Sequence, residues 1–75
     1  MTVDVRQYRV FVEPLAVHLG GGFVSYAPDL KGCVSDGASP EEALANIYDA
    51  IGSWIDAARE GGLSVPAPPP RRQYA

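Results

Sequence analysis

Ser39-Pro40-Glu41-Glu42 marks a helix start more firmly than any other stretch of this sequence marks a structure. Serine at the N-cap, proline at the first helical position and Glu42 three residues after the serine form a capping box, which ties down amide groups that the first turn leaves unpaired. From there Leu44, Ile47, Tyr48, Ile51, Trp54, Ile55 and Ala58 recur at helical spacing and make one apolar stripe. Asn46, Asp49, Ser53, Asp56 and Glu60 take the other side. Arg59 suits the negative end of the helix dipole, and Gly61-Gly62 supplies the left-handed residue that closes such helices. The pattern predicts a helix of about 21 residues, roughly 31 Å long. A chain of 75 residues has room for one domain, so the stripe must lie on whatever the residues before it build.

Those residues read as strands. Tyr8-Arg9-Val10-Phe11-Val12-Glu13 is β-branched and aromatic, with Val3 and Val5 available to extend it, and Pro14 ends it for want of an N–H. Gly20-Gly21-Gly22 forms a loose hairpin tip before Phe23-Val24-Ser25-Tyr26-Ala27 resumes the β pattern. Pro28-Asp29 starts a turn, Cys33-Val34-Ser35 makes a short third strand, and Asp36-Gly37 stops it. Leu63-Ser64-Val65 is long enough for a fourth strand before Pro66-Ala67-Pro68-Pro69-Pro70 enforces an extended exit. The expected fold is a two-layer α+β domain in the order β-β-β-α-β, an antiparallel three- to four-stranded sheet with the long helix on one face. Residues 1–66 form the domain and 67–75 a proline-rich tail.

Six Lys and Arg against nine Asp and Glu give a net charge of -3. No broad basic surface is available for phosphates, so direct nucleic-acid contact is not expected, whereas a basic protein suits the chain as a partner. No apolar run approaches the roughly 20 residues of a membrane-spanning helix, and the first seven residues lack a leader pattern. The expectation is a cytoplasmic protein.

One helix covers one face of a sheet, and each strand has two sets of side chains. Val10 and Val12 alternate with Phe11, while Phe23, Ser25 and Ala27 alternate with Val24 and Tyr26. Whichever set meets the helix leaves apolar groups on the far side, which makes Phe11, Val24 and Tyr26 candidates for an interface. Tyr74 in the tail is a further candidate anchor, and a homodimer or higher homo-oligomer is the expected assembly.

Several motifs occur together at a set spacing: Gly21-Gly22-Phe23, then Tyr26-Ala27-Pro28-Asp29-Leu30-Lys31-Gly32-Cys33, then Ser35-Asp36-Gly37, then Pro40-Glu41-Glu42-Ala43, then Trp54. This series resembles the HicB-like antitoxin domain, in a stand-alone form without a DNA-binding domain. On that resemblance Gly22, Phe23, Pro28, Asp29, Leu30, Gly32, Cys33, Gly37, Glu42, Ala43 and Trp54 are the family-motif residues. The resemblance implies a partial ribonuclease-H-like fold that neutralises a small basic mRNA-cleaving toxin of the HicA type. Longer members append a promoter-binding domain, while here only residues 66–75 follow the last candidate strand.

Chemistry finds little support beside this reading. Asp4, Glu13, Asp29 and Asp36 are candidates for a two-metal nuclease site, but Glu13 sits at a strand end, and Asp29 and Asp36 lie where aspartate bonds turns. His18 has no partner nucleophile, and Cys33 reads as a small buried hydrophobe. Cys33 and His18 together fall short of a zinc ligand set. Gly20-Gly21-Gly22 lacks the following lysine and helix of a phosphate loop, and Arg71-Arg72 is too little charge for nucleic acid. No catalytic residue, metal ligand or cofactor is assigned. The leading function is a non-enzymatic antitoxin-like binding module. The alternatives are a stand-alone oligomeric domain, or a small ligand-binding protein or enzyme using the turn region 28–37.

Overall fold

The computed structural model describes residues 4–70. Strands β1 (Phe11–Pro14), β2 (Phe23–Tyr26) and β3 (Val34–Gly37) form an antiparallel meander, and helix α1 (Pro40–Glu60) follows. The expected α+β class and β-β-β-α order are therefore present. Single 3-10 turns at Val5–Gln7 and Val17–Leu19 flank β1.

Helix α1 runs for 21 residues from the capping box to the glycine pair. Ser39 Oγ accepts the Glu42 amide at 3.1 Å, and Glu42 Oε1 reaches back to the amide of Ala38 at 3.2 Å, one residue before the cap. Its buried face is Ala43, Ile47, Ile51, Ile55 and Ala58. Leu44, which periodicity counts into the stripe, is 38% exposed. The reason lies in the first turn, which is pressed against the end of β3. A Cβ at Gly37 would overlap the Ala43 amide nitrogen and sit 2.8 Å from the Glu42 carbonyl carbon. At that backbone approach the wholly buried Ala43 faces the sheet, and Leu44, one residue around the helix, is turned to the rim.

Tyr8, Ala27, Leu30, Cys33, Ile47, Ile51 and Ile55 make the core, with Val10, Tyr48 and Trp54 packed on its edge. Trp54 is half-buried, and its indole N–H donates to the Lys31 carbonyl at 2.9 Å, so the late bulky residue of the helix clamps the turn between β2 and β3. The inner face of the sheet follows from the register, which sets Val12 beside Ser25 and Ser25 beside Ser35.

Three expectations for the strands need correction. The third strand runs over Val34–Gly37 and is not stopped by Asp36-Gly37, because Asp36 and Gly37 pair with Val24 and Phe23 of β2. The first strand begins at Phe11 and not at Tyr8, because Phe11 pairs with Tyr26, the last residue of β2, and beyond it the partner chain turns away, Ala27 O accepting the Leu30 amide at 3.1 Å. Val5, the expected extension, lies in the turn that the Asp4 carboxylate starts by accepting the Arg6 amide at 2.9 Å. Val3 lies outside the described residues. The fourth strand does not form, leaving the sheet three-stranded. The Leu63 amide is spent on closing the helix, donating to Ala58 O at 2.8 Å, and the prolines that follow bring few N–H groups. The segment is held instead by a side chain, Tyr8 Oη donating to the Pro66 carbonyl at 2.6 Å.

Candidate functional site

Register places the outward side chains of the sheet in two rows. Phe11, Tyr26 and Val34 stand side by side across the three strands, and Glu13, Val24 and Asp36 make the next row. The expected trio Phe11, Val24 and Tyr26 thus shares the face away from the helix. Val34, 62% exposed, joins it and was not among the sequence candidates, although its alternation with the buried Cys33 would have found it.

The rings of Phe11 and Tyr26 stack with centroids 5.3 Å apart and planes at 22°, and Phe11 is 45% exposed. Such a pair is a large, rigid apolar surface that loses little side-chain entropy when covered. Tyr26 Oη donates to Glu13 Oε1 at 3.0 Å, and that hydrogen bond to a carboxylate raises the phenol pKa above its ordinary value. At the other end of β1, Arg9 grips Asp29 with two hydrogen bonds, Nε to Oδ2 at 3.1 Å and Nη2 to Oδ1 at 2.8 Å. The same contact holds the Asp29 carboxyl below its ordinary pKa. The face is therefore an apolar row flanked by the carboxylates of Glu13 and Asp36.

The family-motif residues fall elsewhere and serve the fold. Leu30, Cys33 and Ala43 are buried, and burial pushes the Cys33 thiol pKa up, away from reactivity. Gly32 takes a left-handed φ of 77° in the turn after Pro28 and Asp29. Gly22, at φ 72°, passes so close to Gly37 that an added Cβ would lie 2.8 Å from the Gly37 carbonyl oxygen. Phe23 is half-buried beside Gly37 in the register, while Glu42 caps the helix and Trp54 clamps the turn. Tyr74 lies outside the described residues.

The acidic residues weighed for metal chemistry are scattered: Asp4 beside Arg6, Asp29 beside Arg9, Glu13 and Asp36 on different strands. Among the described residues no three His, Cys, Asp or Glu side chains are grouped to hold a metal ion. A shallow, mostly apolar recess of about 340 Å³ opens beside Trp54, Lys31 and Leu63, with no titratable cluster in it beyond Lys31. Among those residues no helix is long and apolar enough to cross a membrane.

Comparison with known proteins agrees with the motif reading. A family model for the HicB-like antitoxin of bacterial toxin-antitoxin systems matches residues 8–75. The UPF0150 protein ssr1765 of Synechocystis is 41% identical over 56 residues, 75% of this chain and 71% of that protein. A UPF0150 protein of Helicobacter pylori is 60% identical over 34 residues, 45% of this chain and 47% of its own length. No solved structure matches the chain.

Proposed function

Because the chain belongs to the HicB-like antitoxins of bacterial toxin-antitoxin systems, we propose that it neutralises a basic RNA-cleaving toxin of the HicA type by covering it with the open sheet face. The observation that carries this is the pairing of a stacked Phe11–Tyr26 anchor with flanking carboxylates on a face that the helix leaves bare. Aromatic anchors supply most of the affinity of such an interface. The acidic rim and the net charge of -3 draw a positively charged partner to it. The chain performs no chemistry of its own in this reading. It occludes a toxin that would otherwise meet mRNA, which sets its place in the cytoplasm, and its charge keeps it from competing for the RNA itself.

The test is a titration of the purified chain against a HicA-type toxin encoded in the adjacent reading frame, read both by calorimetry and by protection of RNA from cleavage. A tight complex that abolishes cleavage is expected. Phe11→Ala and Tyr26→Ala should each weaken it by about 30-fold or more while the circular dichroism spectrum is retained. Unchanged affinity in both folded variants would place the interface away from this face. RNA cleavage by the chain alone, with added divalent metal, would replace the binding module with an enzyme.

A further inference from the structure

The two edges of the sheet are not equivalent. The Ala27 amide donates to the Cys33 carbonyl at 3.0 Å, so Ala27, and by alternation Ser25 and Phe23, turn their main-chain groups toward β3. Val24 and Tyr26 then turn theirs toward β1, meeting Glu13 and Phe11, and the Leu15 amide continues the same parity to the Gly22 carbonyl at 2.9 Å. The groups left pointing outward are those of Val34 and Asp36 on β3, and those of Val12 and its neighbour Val10 on β1. On β3 the outward carbonyl of Asp36 is already taken, accepting from Asn46 Nδ2 of the helix at 2.8 Å. On β1 no strand among the described residues pairs with the outward N–H and C=O of Val12, and Pro14 ends the edge cleanly.

The sequence along this edge is complementary to itself. Arg9-Val10-Phe11-Val12-Glu13, laid antiparallel on a second copy with Phe11 facing Phe11, sets each Arg9 against Glu13 of the other chain. It also sets each Val10 against the other Val12, and those are the residues whose main-chain groups face outward. We infer that two copies of this chain join through the edges of β1, antiparallel about a two-fold axis at Phe11, to form one continuous sheet with three strands from each.

Charge and geometry select this register. Tyr8 and Val10 turn into the core, so Arg9, Phe11 and Glu13 lie together on the open face, where residues opposite one another in such pairs bring their side chains closest. Arg9 uses only Nε and Nη2 in its contacts with Asp29, leaving other N–H groups for Glu13 of the second copy, whose Oε2 is free of Tyr26. A slip that sets Val12 against Val12 would bring Val10 opposite Pro14, which has no N–H, and Phe11 opposite a carboxylate. A slip that sets Val10 against Val10 would bring Arg9 against Phe11. In the register chosen, the row of Val34, Tyr26 and Phe11 runs unbroken into the same row of the second copy. This assembly uses the strand edge, so it stands whether or not a toxin binds the face.

Sedimentation velocity on the full chain across micromolar concentrations is expected to show a dimer, and a monomer throughout that range would overturn the inference. Arg9→Glu and Glu13→Arg should each weaken self-association by about tenfold or more, because each sets like charges opposite one another twice in the dimer. Mixing the two variants should restore a heterodimer, since every pair across the axis is then opposite in charge. Dimers unaffected by either change, or a mixture that stays monomeric, would refute the pairing. Should either variant lose its helical circular dichroism, Val12→Pro serves instead, because it removes an outward N–H that no strand among the described residues pairs with; a folded monomer is expected, and a dimer as tight as the parent's counts against β1.

Discussion

Ser25 Oγ, wholly buried on the inner face of β2, donates to the main-chain carbonyl of Ala43 in the first turn of α1 at 2.9 Å. That bond joins the middle of the sheet to the start of the helix, at the point where Gly37 permits the closest approach of the two layers. A valine would satisfy strand preference at position 25 equally well, but it would leave out the donor and crowd the helix.

Ser25→Ala is expected to cost about 1 kcal/mol, the ordinary net value of one buried neutral hydrogen bond. The Ala43 carbonyl keeps its helical partner, so no orphaned acceptor adds to the loss. Ser25→Val should cost more, roughly 2–3 kcal/mol, by overpacking. Urea denaturation of the three proteins orders them.

Ile51 is fully buried and Leu44 sits on the rim. Ile51→Ala should therefore destabilise by about 2–5 kcal/mol, and Leu44→Ala by less than about 1 kcal/mol. Comparable losses in thermal melts would mean that the helix presents a different face to the sheet.

Arg9 holds the Asp29 carboxyl below its ordinary pKa. A depressed carboxylate adds stability above its unfolded pKa of about 3.9, and that contribution is lost as pH falls through the lower folded value. Both side chains are partly solvated, so solvent screening makes the stability effect small. The direct readout is the titration of Asp29 by NMR, which should move up toward the ordinary value in Arg9→Met.

Reversing Glu13 and Asp36 to lysine should slow association with a basic toxin by roughly tenfold at low salt and flatten its salt dependence. The same reversal of Asp49 and Asp56, exposed on the helix, keeps the net charge change equal while sparing the face, and should have a smaller effect. Stopped-flow rates at two ionic strengths distinguish the pairs.

The helix was legible in its bounds and in most of its buried face, because a capping box, an apolar stripe at one period and a glycine pair are all local signals that agree. The meander was legible for the same reason, through proline, glycine and β-branched residues that act over a few positions. The linked motifs pointed to the family, and the structure shows why they could: Leu30, Gly32, Cys33, Gly37 and Ala43 build a turn, a core and one close approach, which sequence must spell out. Three things were not legible. Leu44 faces the rim because the backbone approach at Gly37 sets Ala43 toward the sheet; residues 63–65 stay out of the sheet because the helix end consumes the Leu63 amide and Tyr8 reaches over to hold Pro66. The gathering of Phe11, Tyr26 and Val34 into one row depends on strand register. Period and capping act between neighbours along the chain and can be read there, whereas register, close approach and the edge left open are set by contacts between segments far apart in sequence, and only the folded chain decides them.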